Sequence, residues 1–214
     1  MKTVIVGAGG FGREVLFLLT EINSTKESFD ILGFVDSNPL LQGKIINEYP
    51  VLGNDSWLLN YSNAINVVVC VGNSQLRKKI VKNLSKNKNI YFPNIIANDV
   101  RCSPTVNMGK GCIIFFSSVL LVDISIGDFV VVHCDCTIGH NVCINDFATV
   151  YHSVNVLGDV SIGSCVEIGS GSQIIPQKTV GDNAIIGAGS VVVKNIPADC
   201  TVVGVPAKPL PPPI

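Results

Sequence analysis

The 214-residue sequence is short of charge: Asp, Glu, Lys and Arg make up 14% of it and sum to -1 at pH 7. A nucleic-acid partner is therefore not expected, because phosphate backbones are held by clustered Lys and Arg. No apolar run approaches the roughly 20 residues that a spanning helix needs, so no membrane partner is expected. No leader is visible either. Met1-Lys2-Thr3 runs straight into Val4-Ile5-Val6 and a glycine loop, without a long apolar stretch or a cleavage site. The chain is expected to be cytoplasmic. Its eight cysteines include no C-x-x-C pair, which removes the usual zinc and redox motifs, and no metal is expected. The thiols read as structural, since reduced cysteine behaves as a small buried hydrophobe. There is no G-x-S-x-G elbow, so an acyl-serine route has no support.

What the chain does have is a period of six. Ile126, Val132, Ile138, Ile144, Val150, Val156, Ile162, Ile168, Ile174, Val180, Ile186 and Val192 are β-branched aliphatics at every sixth position. Leu120, Ile114 and Met108 extend the series backwards. Neither the helix period of 3.6 nor the strand period of 2 gives this pattern. It is the signature of a parallel β-helix, in which short strands coil and coils stack. A second slot, two residues before each aliphatic, holds Val130, Cys136, Val142, Ala148, Val154, Val160, Val166 and Ser172. Glycine often follows the aliphatic, at Gly127, Gly139, Gly163, Gly169, Gly181 and Gly187. Each hexad should bury two side chains and turn a corner near a glycine. The repeat is expected to begin at Met108, after a connection from Pro93 to about Val106. It should break at Lys194-Asn195-Ile196-Pro197, with Pro211-Pro212-Pro213 as a loose tail.

The N-terminal region reads differently. Lys2-Thr3-Val4-Ile5-Val6 is a buried strand, Gly7-Ala8-Gly9-Gly10-Phe11-Gly12 a glycine loop, and Arg13 to Leu19 a helix. That order is the context in which G-x-G-x-x-G binds phosphate: glycines admit close approach and the helix start offers N–H donors. Ile31 to Asp36 reads as a second strand ending in an acid. Asp36 could hydrogen-bond a ribose or simply start the turn Asp36-Ser37-Asn38-Pro39. Asn66 to Val71 is a third strand, followed by Gly72-Asn73-Ser74 and a helix from Gln75 to Ser85. Asn89 to Phe92 is a last short strand. Three loops should converge at the carboxyl edge of the sheet, where open α/β sheets bind ligands. At about 90 residues there is no room for both halves of a dinucleotide fold. A nucleotide or nucleotide-linked ligand is expected rather than NAD.

Candidate chemistry in the coil rests on few side chains. Of His133, His140 and His152, the last two follow a core aliphatic by two positions and point away from the interior. An exposed histidine can serve as a general base, since it titrates near neutrality. Cys134 and Cys143 lie near the histidines in sequence, but no local motif supports a cysteine acyl-enzyme.

These residues resemble a known family. The hexads, Ile138-Gly139-His140 and the ending Val203-Gly204-Val205-Pro206-Ala207-Lys208 are similar to hexapeptide acyltransferases. The Gly7–Gly12 loop, Phe34-Val35-Asp36 and Val71-Gly72-Asn73 narrow the likeness to nucleotide-sugar N-acetyltransferases related to the bacillosamine, perosamine and viosamine enzymes. Sialic acid O-acetyltransferases stand beside them. The resemblance covers essentially the whole chain. It implies an α/β + β architecture: a small Rossmann-like nucleotide-sugar-binding domain (residues 1–93), then a left-handed parallel β-helix acetyltransferase domain with a C-terminal tail (residues 94–214). It also implies a homotrimer and acetyl-CoA as acetyl donor.

By resemblance His140 is the catalytic base, with Asn141 standing where relatives often carry an acid and left to orient the ring. Nucleotide or phosphate contacts fall on Gly9, Gly10, Phe11, Asp36, Ser37 and Gly72; some relatives carry a histidine in place of Phe11, leaving a backbone contact there. Acetyl-CoA contacts fall near Thr149, Ser170 and Ala188, and no role is transferred to His152. The implied reaction is N-acetylation of a dTDP- or UDP-linked 4-amino-4,6-dideoxy sugar for surface polysaccharide or glycan synthesis. Sugar O-acetylation and a non-catalytic nucleotide-sugar-binding protein are the alternatives. An NAD enzyme is a more distant one.

Overall fold

The computed structural model describes residues 1–26 and 28–210. The tail assigned to Pro211-Pro212-Pro213 lies outside the described residues. The chain divides into two compact units, Met1–Asn94 and Ile95–Ile214.

The first unit is an α/β sheet. In chain order it runs β1 (Lys2–Val6), α1 (Gly10–Thr25), β2 (Asp30–Val35), β3 (Ile45–Ile46), β4 (Tyr49–Gly53), α2 (Asp55–Leu59), β5 (Ile65–Val69), α3 (Ser74–Leu84) and β6 (Ile90–Tyr91). The strand order is β3-β4-β2-β1-β5-β6, and every pairing is parallel except the β3–β4 hairpin. β1 and β5 are rich in β-branched aliphatics and almost wholly buried, as parallel strands at the centre of such a sheet are; Val4, Ile5, Ile65 and Val67 are essentially inaccessible. α1 buries Val15, Leu16, Leu18, Leu19 and Ile22, one face of a helix. The sequence reading saw neither β3, β4 nor α2.

From β1 the chain moves to β2 and β4 on one side, then returns to β5 on the other. The order therefore reverses between β1 and β5, and the glycine loop leaves β1 at that switch point. Ligands of open α/β sheets bind in the crevice such a reversal leaves.

The second unit is a left-handed parallel β-helix. Its two-residue strands fall on three faces and pair with strands eighteen residues away, as Val131 with Thr149 and Thr137 with Asn155. Three hexads thus make one coil. The first face carries Ile113, Val131, Thr149 and Glu167, the second Val119, Thr137, Asn155 and Gln173, and the third Ser125, Cys143, Ser161 and Thr179. All twelve aliphatics from Ile126 to Val192 are buried, together with the second-slot residues from Val130 to Ser172.

Two expectations are corrected. The stretch read as a connection is the first coil: Ile95–Ile96, Arg101–Cys102 and Asn107–Met108 pair with the strands eighteen residues on. Its slots were hard to read because an end coil covers its residues on one side only, leaving Ile96 and Cys102 exposed. At the other end the coil outlasts the period. Ile196 bridges Val180, and Thr201–Val203 adds to the first face before Lys208–Pro209 folds back antiparallel. The chain reaches that strand sixteen residues after Ile185 rather than eighteen, so the hexad count hides it.

Each corner does lie near its glycine, as expected, but not on it. The corner residue in the left-handed region is two positions later and is mostly not glycine: Asp123, Phe129, Asp135, Asn141, Phe147 and Asp159 have φ from 56 to 62°. Glycine follows the aliphatic for lack of space instead. A Cβ on Gly169 would stand 2.5 Å from the Ala188 nitrogen, and one on Gly163 2.6 Å from the Asp182 nitrogen.

Candidate functional sites

In the first unit three loops meet as the strand order requires. Gly7, Asp36, Ser37 and Val71 line one cavity of about 400 Å³ with Asp55, Leu76 and Ile80. Gly12 is buried where α1 crosses the loop, and a Cβ there would run into the Gly7 carbonyl oxygen. Gly9 and Gly10 differ: a Cβ on either would meet nothing within 4 Å. Gly9 is the N-cap of α1 and no side chain caps that end. An uncapped helix start beside open space is an anion site in waiting.

Asp36 ties two of these loops. Its carboxylate accepts from the Ala8 N–H and the Asn38 N–H, each at 2.8 Å. It therefore acts as the turn-starting acid as well as a ribose candidate, since each oxygen keeps a second lone pair. The Ser37 hydroxyl lies 3.4 Å from the Asp55 carboxylate. Phe11 is half-buried. Gly72 has open space where a Cβ would be, and its carbonyl accepts from Arg77 Nη1 at 3.2 Å. Arg77, on the helix after that loop, is 1% exposed and also donates to the Val71 carbonyl at 2.9 Å. It sits on the buried stripe Ser74, Arg77, Val81, Leu84. That spacing was the signal available: a charge on the inward face of a helix needs a purpose. Asp55, Leu76 and Ile80 were missed because nothing local marks a lining residue.

In the second unit His140 is exposed at the corner between the second and third faces. Among the described residues its imidazole has no hydrogen-bond partner. The ring lies over Gly158, one coil further along the same column; a Cβ there would collide with it. Asn141 shares no hydrogen bond with His140. Its amide donates to Asp159 Oδ1 at 2.9 Å, while the Asp159 N–H donates to the His140 carbonyl at 2.9 Å. His152 stands at a different corner, between the first and second faces, 4.6 Å from the buried His133 ring. Phe115, His133 and Tyr151 stack there at 5.3 and 5.2 Å. Ser170 and Ala188 follow His152 in one column and are exposed, whereas Thr149 is buried on the first face.

The corners also differ in their N–H groups. At the corner between the third and first faces, Lys110, Asp128 and Ser164 donate to Asp side chains one coil on, at 2.7 to 3.0 Å. Among the described residues, the N–H groups of Ser170 and Ala188 have no such partner. Two such donors on successive coils, about 4.8 Å apart, form a ladder that an extended amide-bearing ligand can match. Among the described residues no His, Cys, Asp and Glu side chains group to hold a metal ion, and no helix is long and apolar enough to cross a membrane.

Comparison with known proteins decides the family. Residues 2–84 match the PglD N-terminal domain. Over 98% of its length the chain is 31% identical to the acetyltransferase domain of PglB from Neisseria gonorrhoeae FA1090, solved in complex with acetyl coenzyme A, covering 98% of that chain with a TM-score of 0.89. The chain belongs to the hexapeptide-repeat nucleotide-sugar N-acetyltransferases. WeeI from Acinetobacter baumannii AYE is 29% identical over 98% of this chain and all of its own, with a TM-score of 0.87. A histidine-to-asparagine variant of perosamine N-acetyltransferase from Caulobacter crescentus, solved with CoA and GDP-perosamine, is 26% identical over 99% of this chain and 98% of its own, with a TM-score of 0.84. No curated protein matches the sequence. Each of these three matches spans both units of the present chain, so the likeness extends beyond the coil.

Proposed function

We propose that this chain transfers the acetyl group of acetyl-CoA to the 4-amino group of a nucleotide-linked 4-amino-4,6-dideoxy sugar, for surface polysaccharide or glycan synthesis. What carries the reading is His140, an exposed imidazole with no hydrogen bond among the described residues, in a chain similar to an acetyltransferase domain solved with acetyl coenzyme A and to a perosamine N-acetyltransferase. The sugar amine attacks the thioester carbonyl, the carbon–sulfur bond breaks, and CoA leaves. An imidazole nitrogen of His140 takes the proton that the amine sheds. Such a base contributes about 10²–10⁴-fold.

Asn141 serves the base indirectly, by holding the corner through Asp159. Gly9, Gly10, Phe11 (by its backbone), Asp36, Ser37 and Gly72 receive the nucleotide, with Arg77 fixing the carbonyls beneath Gly72. The free N–H groups of Ser170 and Ala188 receive the amide-bearing arm of CoA, and Thr149 supports the same region. Ser170 and Ala188 share a corner that His140 does not occupy. A second copy that sets its own corner beside the first would let one coenzyme lie along both, which supports a homotrimer with shared sites.

The test is thiol release from acetyl-CoA with dTDP-, UDP- and GDP-linked 4-amino sugars, followed by mass spectrometry of the products. Turnover should appear with one of them, and His140→Ala should lower kcat about 10²–10⁴-fold. No thiol release with any amino sugar would remove the reading; acetyl transfer to a hydroxyl alone would redirect it to O-acetylation.

A further inference from the structure

We propose that Gly158 is the positioning residue of the base: its missing side chain is the bed on which the His140 imidazole lies. The proposal rests on His140 being that base.

The corner itself does not ask for glycine at this point. The same column holds Pro104, Val122, His140, Pro176 and Lys194, so a side chain fits the backbone. Gly158 is not among the glycines with positive φ, so no L-residue would be strained there. Nor is the coil too tight. A Cβ on Gly139 would meet neighbouring backbone, the Gly158 nitrogen at 2.8 Å and the Leu157 carbonyl carbon at 2.9 Å. The nearest atoms to a Cβ on Gly158 are all of one group, the His140 ring: Nε2, Cε1, and Cδ2 at 3.0 Å. Backbone cannot step aside, but a ring at the end of a side chain can rotate.

The two corners are also fixed to each other. The Asp159 N–H to His140 carbonyl bond and the Asn141 to Asp159 bond tie adjacent coils on either side of the ring. A methyl at position 158 therefore cannot be absorbed by sliding one coil past the next. It must turn the imidazole. Among the described residues no hydrogen bond holds that ring, so the floor under it is what selects its rotamer. A base displaced by about 1 Å can lose up to about 10²-fold in rate, because proton transfer needs hydrogen-bond geometry.

The experiment is a double-mutant cycle of Gly158→Ala and His140→Ala. Gly158→Ala should lower kcat at least about tenfold with KM for both substrates within about twofold, the signature of a misplaced catalytic group. In the His140→Ala background the same methyl should change nothing, since it fills space the ring has left. The imidazole nitrogen resonances of His140 should shift in Gly158→Ala; this readout needs no turnover and tests the bed even if no amino sugar is acetylated. If Gly158→Ala fails to fold while the double variant folds, the collision is with the ring, as proposed. Failure of both to fold, an unchanged kcat with unchanged resonances, or an equal loss in the His140→Ala background would each overturn it.

Discussion

Small polar groups inside the coil show how single residues solve a local problem. Inward slots are apolar by rule, yet some hold Cys or Ser. Four of them use their hydrogen to satisfy a corner carbonyl fifteen residues on: Cys112 to Gly127 at 3.1 Å, Ser118 to His133 at 2.9 Å, Cys136 to Tyr151 at 3.0 Å and Ser172 to Gly187 at 3.1 Å. A buried carbonyl left unpaired costs about 1–3 kcal/mol, so these residues act as more than hydrophobes. Burial pushes the Cys112 and Cys136 thiols up from 9.0 to about 11. A pKa raised on folding gives stability that is whole below pH 9 and is lost as pH rises towards 11. The loss should approach roughly 2 kcal/mol per thiol. Thermal melts between pH 8 and 11 should show a steeper decline for the natural protein than for Cys112→Ala/Cys136→Ala, in which Ala fits as Ala148 does. Parallel declines would show that these thiols do not set the alkaline limit.

Elements of the coil are two residues long, too short to be stable alone. Stacking makes them, and the glycines after each aliphatic set how closely coils stack. Gly169 and Gly171 separate space from backbone freedom. A Cβ on Gly169 meets the next coil's backbone at 2.5 Å; Gly171 has φ +72° and open space. Gly169→Ala must push adjacent coils away from each other and should cost several kcal/mol, at or above the roughly 1–3 kcal/mol of ordinary overpacking. Gly171→Ala meets only the left-handed backbone, worth about 1–2 kcal/mol, as Asn141 and Asp159 already bear at equivalent corners. Denaturant melts should rank Gly169→Ala as the less stable; the reverse order would mean that corner conformation, not coil spacing, limits the helix. The hexad shows that a glycine recurs near each corner but not which atoms that glycine faces.

For the molecule as a whole, the distribution of candidate groups over different corners has a direct test. Subunits carrying His140→Ala and subunits carrying Ala188→Trp should each be inactive alone. Mixed by co-expression, they should recover some of the activity, because some sites then draw an intact histidine from one copy and an intact coenzyme column from another. Sedimentation should give a particle of three 22.7 kDa chains. No recovery from a mixture shown to contain both chains would confine each site to one subunit.

The order of the two units, the glycine loop before its helix, the twelve buried aliphatics and the outward placement of His140 are legible in the chain's residues alone. Those follow from short-range rules: a period that keeps apolar slots inward, and a strand–glycine–helix junction that leaves N–H groups open. That a coil is three hexads emerges with the fold, because a period of six does not say how many sides close a turn. From that register of eighteen comes the rest: Gly158 beneath His140, Asn141 on Asp159, the open N–H ladder of Ser170 and Ala188, and the fifteen-residue bonds of Cys112 and Cys136. Arg77 under the Gly72 loop is of the same kind, since its role depends on which carbonyls the folded loop turns inward. Contacts between residues a full coil apart leave no mark on the local pattern, and the reach of a side chain is fixed only once its neighbours are in place.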